Sequence, residues 1–316
     1  MTEAIEVTAT ARLHLGFLDL NGSLGRRFGS LGLSLDQPRT RLRLAAAARS
    51  RFEGPESERA AQHLATLSQH LGLTRGHQLR IEEAIPAHAG LGSGTQLALA
   101  VATSVRWLHG LRLDPRADAL LLGRGARSGV GIGLFQDGGL VLDGGRGAAE
   151  PPPPLLARLP LPRPWRVLLL LDPAHQGLSG ARERAAFAAL PPLDEAVCAE
   201  LCRLVLMQVL PAVAESDLAA FGAAVTQMQD ILGDYFAPAQ GARITSRRVA
   251  DGLAALAARG ACGIGQSSWG PTGFAFIANE PDAQREAAAL RAQPAGAGLD
   301  ILVCRGLNRG ATVTAL

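Results

Sequence analysis

The chain contains no lysine, so all 31 of its Lys-plus-Arg residues are arginine. That excludes Schiff-base chemistry on the protein, attachment of pyridoxal phosphate and the lysine of a Walker-type phosphate loop. Any bound phosphate must be held by arginine, backbone N–H groups or a metal ion. Charge is sparse as well: 19% of residues are charged and the net charge is +3, too weak a field to argue for a nucleic-acid partner. The four cysteines, Cys198, Cys202, Cys262 and Cys304, form no C-x-x-C pair. Cys198 and Cys202 share a face of an expected helix, but no nearby histidine completes a metal set, so they read as buried free thiols in a reducing compartment. The seven histidines are scattered, without H-x-x-x-H or H-E-x-x-H spacing. No apolar run approaches a membrane span, and the N-terminal "MTEAIEVTATARLHLG" lacks the basic and apolar regions of a signal peptide. A cytoplasmic protein is expected.

At 316 residues the chain fits two domains of ordinary size. Residues 6–15 alternate, with Val7, Ala9, Ala11, Leu13 and Leu15 on one face and Arg12 and His14 on the other, which predicts a strand. "LGLSL" (31–35) and "TRLRL" (40–44), joined by Asp36-Gln37-Pro38-Arg39, predict a hairpin with a proline turn. A helix is expected over 57–71, a strand over 77–85, and a second helix carrying Leu97, Val101, Val105 and Leu108. A second glycine-rich region, 123–147, predicts short strands or turns. The proline-rich stretch 150–164 places the domain boundary, giving domains 1–158 and 159–316. Beyond it "RVLLLLD", "GFAFIA" and "DILVCRG" read as strands. Helices are expected over 180–190, 194–210, 216–232 and 244–258 and at "DAQREAAALRAQ", making this half an α+β arrangement of helices on a small sheet.

The chemistry centres on "PAHAGLGSGTQLALA", residues 86–100, where a strand passes through Pro86 into glycines at a helix start. The first helical N–H groups have no intrahelical partners, so this is an anion site in waiting, or a tight capped connection. Gly92 and Gly94 would let backbone approach a phosphate closely, and Ser93 and Thr95 could cap the helix or donate hydroxyls. The stretch resembles the P-x-x-x-G-L-G-S phosphate loop of the GHMP kinase superfamily. "ARLHLGFLDL" (11–20) resembles the superfamily's first motif and "GIGQSSWGPTGFAF" (263–276) its third. The resemblance spans nearly the whole chain and implies an α+β, GHMP-kinase-like fold. Its N-terminal domain would be like domain 2 of ribosomal protein S5, its C-terminal domain ferredoxin-like, with a polyphosphate site between them.

In mevalonate-type members a serine-glycine-hydrophobic triplet precedes the aspartate proposed as base; here "RSGVGIG" puts Gly131 at that place. With that carboxylate and lysine both missing, the usual side chains around a reacting hydroxyl are absent. The segments "RLHLGFLDLNG", "GLGSGTQ", "GRGARSGVGIGLFQDGGLVLDGG" and "GQSSWGPTGFAF" resemble the β-ribofuranosylaminobenzene 5′-phosphate synthase family, whose reaction begins tetrahydromethanopterin biosynthesis. The resemblance implies joining the ribosyl carbon of phosphoribosyl diphosphate to 4-aminobenzoate or 4-hydroxybenzoate with loss of carbon dioxide and diphosphate. It also implies a homodimer. Such chemistry needs no protein nucleophile, but it does need polyphosphate held in place, with Mg²⁺ as the expected cofactor. The two acidic residues and hydroxyl-rich loop with which ordinary phosphoribosyltransferases hold this donor are absent. An ATP-dependent small-molecule kinase, or a non-catalytic nucleotide-binding member, are the alternatives.

Candidate residues follow from that frame. Gly90, Gly92, Ser93, Gly94 and Thr95 would cradle the diphosphate. Arg12 and His14 would point together toward the 5-phosphate or the aromatic carboxylate, or form a solvated strand face. Arg26 and Arg27, in the loop "NGSLGRRFGSLG", and Arg127 could close over an anion. Asp19, Asp137 and His14 are the candidates for proton or metal handling. Ser267 and Ser268 could contact phosphate and Trp269 could stack on an aromatic acid, unless it is a buried structural residue. Arg309, near the C-terminus, is an unplaced anion contact.

Overall fold

A computed structural model describes residues 4–148, 152–177 and 180–316; Met1 to Glu3, and Glu150 and Pro151 of the proline-rich stretch, lie outside the described residues. The first half is built on two long antiparallel strands, β1 (Ala4–Asp19) and β2 (Phe28–Ala47). The alternation read from sequence is realised: Val7, Ala9, Ala11, Leu13 and Leu15 are all fully buried. The hairpin expected over 31–44 is not formed. The pairing of β1 with β2 jumps from Thr10↔Arg39 to Arg12↔Ser34, so Leu35 to Pro38 bulge out of one continuous strand. Proline has no N–H to give to the ladder, and a bulge leaves it unpaired.

β3 (Arg51–Glu53), β4 (Gly76–Glu83), β5 (Leu140–Asp143) and β6 (Leu155–Leu159) extend this sheet, and β11 (Thr312–Ala315) pairs with β1. The helices α1 (Ser57–Leu71), α2 (Ser93–Leu108), α3 (Pro115–Leu121) and α4 (Val130–Asp137) cover one face. α2 is the central helix: every residue from Gln96 to Val105 is buried. Within 123–147 the chain forms α4 and β5, so a helix as well as a strand replaces the expected turns.

The second sheet has the order β10 (Asp300–Arg305), β7 (Arg166–Leu171), β9 (Gly273–Ile277), β8 (Cys262–Gln266), all antiparallel. In chain order this is the split β-α-β-β-α-β arrangement of a ferredoxin-like domain. α9 (Arg247–Ala257) and α10 (Glu280–Arg291) pack on one face through Leu168, Leu170, Val249 and Leu253. Its other face meets α8 (Leu218–Gln240) and the underside of β1 in a single core that includes Leu13, Leu15, Phe221, Met228 and Phe274. α5 (Gly180–Ala189) and α6 (Glu195–Leu204) precede it, and α6 runs through a π-turn into α7 (Leu210–Glu215).

Two sequence expectations need correction. Residues 312–315 belong to the first sheet, so the chain after 159 is not wholly a second domain, and the two halves share a core. The stretch Glu195–Glu215 is long and apolar enough to cross a membrane by length and composition. Its face carrying Leu201, Val205, Val209 and Val213 is committed to the shared core.

Candidate active site

The cleft lies where the loop into α2, the middle of β1 and the turn between β8 and β9 meet. Gly92, the N-cap of α2, is left-handed at φ +76°, where glycine avoids the strain of a Cβ. The Thr95 and Gln96 amides bond to the Gly92 carbonyl, so those of Ser93 and Gly94 are left for a ligand. The Arg12 amide bonds the Leu91 carbonyl at 3.1 Å, which seats the Arg12 side chain directly across the loop. A Cβ on Gly92 would stand 2.7 Å from Arg12 Nε, and one on Gly94 would stand 3.0 Å from Arg124 Nη1. A side chain at Gly92 would collide with the Arg12 side chain, and one at Gly94 would press on the Arg124 guanidinium.

The third motif clamps this loop. Ser267 Oγ donates to the Gly90 carbonyl at 2.9 Å and accepts the His14 amide at 3.0 Å, and Thr272 Oγ1 donates to the Ala89 carbonyl at 2.7 Å. A Cβ on Gly90 would lie 3.0 Å from the Gly270 nitrogen. Ser267 is therefore a fully buried stitch between the two halves of the molecule, not a phosphate contact. Its neighbour Ser268 is the residue that faces the open space, held at φ +58°.

Two connected cavities of about 380 and 650 Å³ make up the cleft. The first is lined by the glycine loop with Arg12, Arg59 and Arg124, the second by Arg12, Arg27, Arg124, Arg127 and Arg146. Buried Arg12 Nη1, Arg27 Nε and Arg124 Nε have no hydrogen-bond partner. Burial lowers the Arg12 pKa, offset in part by the charges of Glu183 and Asp143; burial, with Arg59 close by, lowers that of Arg124. Buried donors on like charges are costly until an anion satisfies them. Arg127 pairs with Glu183 at 2.6 Å and lies 4.6 Å over the centre of the Phe187 ring.

His14 is buried, its Nε2 has no partner, and burial followed by the Arg12 charge pushes its pKa down to about 3. It is a neutral imidazole across the physiological range. Asp143, which sequence reasoning missed, is also buried, yet its carboxylate accepts from the amides of Ser30, Gly129 and Gly145 and from the Ser128 hydroxyl at 2.8 to 3.2 Å. Desolvation still raises its pKa. It fixes the start of α4 beneath the arginines. At the place of the expected absent base, a Cβ on Gly131 would meet the Thr95 methyl at 3.1 Å and Arg12 Nε at 3.7 Å, so a side chain there would point at two residues of the cleft wall, and the position holds no carboxylate.

The structure removes several candidates. Asp19 accepts the Asn21 and Gly22 amides at 2.8 and 2.7 Å, capping the turn after β1, and lines neither cavity. Asp137 is exposed at the C-terminal end of α4, remote from the helix start that meets the cleft. Arg26 is spent on the Gly144 and Gly145 carbonyls, each at 2.8 Å, while Arg27 turns inward. Arg309 lines a different cavity, with Thr8, Thr10 and Arg305. Trp269, by contrast, stays in place as a lining residue: it packs against Phe187 and Phe236 at ring distances of 5.1 and 4.7 Å and borders the first cavity. Arg124 and Arg146 were not singled out from sequence; Arg124 stands three residues before Arg127 in "GRGARSG", and pattern alone cannot rank the two.

Among the described residues no group of three or more His, Cys, Asp or Glu could hold a metal ion. The donor set fits Mg²⁺ only as an ion brought in on phosphate oxygens, with Glu183 the carboxylate that lines the cleft among the described residues.

The families described as GHMP kinases N terminal domain and GHMP kinases C terminal match residues 58–135 and 209–296. The chain is 31% identical over 332 aligned positions to the beta-ribofuranosylphenol 5'-phosphate synthase of Methanothermobacter thermautotrophicus, covering 96% of this chain and 97% of that one. It is 35% identical over 239 positions to the protein of that name from Archaeoglobus fulgidus, covering 72% and 76%. Homoserine kinase from Cytophaga hutchinsonii shares the fold, with a TM-score of 0.66 at 17% identity over 99% of this chain and 98% of that one.

Proposed function

The chain belongs to the beta-ribofuranosylphenol 5'-phosphate synthase family, and from that premise we propose that it transfers the 5-phosphoribosyl group of phosphoribosyl diphosphate to the carboxyl-bearing carbon of 4-hydroxybenzoate. The phenol in the relatives' name favours this acid over 4-aminobenzoate. The bond from ribosyl carbon to diphosphate breaks with its electron pair leaving on the diphosphate. A ring-to-ribosyl carbon bond forms, and the electron pair of the ring-to-carboxylate bond returns to the ring as carbon dioxide departs. No protein nucleophile and no net proton are required.

The observation that carries this reading is the cluster of buried guanidinium N–H groups without partners at the mouth of a glycine-capped helix. Such a site stabilises negative charge as it develops on a leaving diphosphate and on the 5-phosphate. Arg12 and Arg124 flank the helix start, and Arg27, Arg127 and Arg146 line the continuation of the cleft. A bound Mg²⁺ would neutralise part of the diphosphate charge, and Glu183, which lines the cleft, is the carboxylate that would hold it. Gly131 in place of a carboxylate weighs against phosphorylation of a hydroxyl, since no base stands at that position to take its proton.

The test is diphosphate release from phosphoribosyl diphosphate with Mg²⁺ present. Release that requires 4-hydroxybenzoate supports the reading; conversion of ATP to ADP with a hydroxyl acceptor, and no such release, overturns it in favour of a kinase.

A further inference from the structure

Beside the arginine cleft lies a narrower slot with a different chemistry. Its walls are Phe17, Leu232, Phe236 and Trp269, and it opens to the cleft at His14, Phe17 and Ser268. The Phe236 and Trp269 rings are 4.7 Å apart, as are those of His14 and Phe17. The free space is about 40 Å³. Since one water molecule needs roughly 10–15 Å³ of such space, the slot holds about three, the room of one six-membered ring.

The two glutamine side chains Gln229 and Gln266 are committed to the protein, and Arg243 is paired with carboxylates. Gln229 Nε2 donates to the Leu15 carbonyl at 2.5 Å and its Oε1 accepts the Gln266 amide at 2.8 Å. Gln266 Oε1 accepts from the Thr245 amide and hydroxyl at 2.8 and 2.9 Å. Arg243 is paired with Asp230 at 2.9 Å and with Asp234. A phosphate placed here would have to share Arg243 with the carboxylates of Asp230 and Asp234, whereas an aromatic ring gains contact with Phe17, Phe236 and Trp269. At the mouth stand His14, whose buried Nε2 has no partner, and Ser268.

Resting on the reading given under Proposed function, we propose that this slot holds the ring of the aromatic acid acceptor, with its carboxyl-bearing carbon at the mouth beside His14 and Ser268 and its para substituent directed inward. The reacting carbon then faces the ribosyl carbon of a donor held by the arginines. His14 touches the end of the ring from which carbon dioxide leaves. Because the imidazole is neutral, it does not lock the carboxylate in an ion pair that would oppose that departure.

Phe236 tests the assignment, since it is half-buried and belongs to the slot but not to the arginine cleft. Binding of 4-hydroxybenzoate and of phosphoribosyl diphosphate would each be measured by calorimetry on the wild type, Phe236→Ala and Phe236→Leu, alongside steady-state diphosphate release. The proposal expects Phe236→Ala to weaken the aromatic acid about tenfold in Kd and KM, Phe236→Leu to lie between, and donor affinity to move less than twofold. Acceptor Kd and KM within twofold of wild type in a folded Phe236→Ala protein that still turns over would overturn the slot while leaving the reaction standing. An inert wild type that binds 4-hydroxybenzoate through Phe236 would support the slot and sink the reaction. An inert wild type that binds no aromatic acid would overturn both.

Discussion

Arg12 and Gly92 are interlocked: the arginine side chain crosses the left-handed N-cap of α2 so closely that a Cβ on Gly92 would lie 2.7 Å from its Nε. The helix start and the cation that would share its anion are thus a single unit. Gly92→Ala should therefore do two things. It strains the backbone by about 1–2 kcal/mol, and it displaces Arg12 from the donor site. The expected result is a modestly lower melting temperature with at least a tenfold weaker Kd for phosphoribosyl diphosphate, read by thermal denaturation and calorimetry.

Gly131 makes a sharper test of the charge arrangement. Its missing Cβ would face the Thr95 methyl and Arg12. Gly131→Asp would bring a carboxylate against that arginine and set it against the incoming diphosphate. Initial rates should show the donor KM rising at least tenfold with the acceptor KM little changed.

Adjacent arginines should behave oppositely. Arg27 presents a buried Nε without a partner to the cleft, while Arg26 is tied to two backbone carbonyls in an exposed loop. A hydrogen bond to a charged group contributes about 1.5–3 kcal/mol, so Arg27→Ala should raise the donor KM by about 10- to 100-fold. Arg26→Ala should leave it within about threefold. Equal effects in the two variants would contradict the placement.

Stability should depend on pH through two buried histidines. His14 is pushed down to about 3 by burial and Arg12, and His63 to about 4 by burial, Arg124 and Arg59, against an ordinary 6.5. Between those values and 6.5 the unfolded chain takes up protons that the folded chain refuses, so stability is fully present above 6.5 and falls as the pH falls through that window. The melting temperature should drop steadily from pH 7 toward pH 4, and His14→Gln should flatten the slope. A slope unchanged by that substitution would show that His14 is not held neutral.

Local patterns carried much of this architecture. The alternation of β1 placed Arg12 and His14 on the open face, and the α1 bounds at Ser57 and Leu71 match the expected helix. Three glycine-bearing segments marked the loop, the α4 region and the β8–β9 turn that converge on the cleft. What pattern could not show is non-local. Asp36-Gln37-Pro38-Arg39 has the composition of a turn, yet pairing of both flanks with β1 makes it a bulge. The short β11 owes its place to β1, some 300 residues earlier in the chain. Asp19 and Asp137 have suitable chemistry but the wrong position, and Asp143 is legible only once its four donors surround it. The slot is assembled from residues 14, 17, 236 and 269, which no spacing rule connects.

The most direct test of the account follows labelled carbon dioxide from carboxyl-labelled 4-hydroxybenzoate, with and without phosphoribosyl diphosphate, in the presence of Mg²⁺. The account predicts release that requires the donor, with one carbon dioxide for each diphosphate. Diphosphate released without carbon dioxide, or no release from either labelled 4-hydroxybenzoate or 4-aminobenzoate while ATP is consumed, would contradict it.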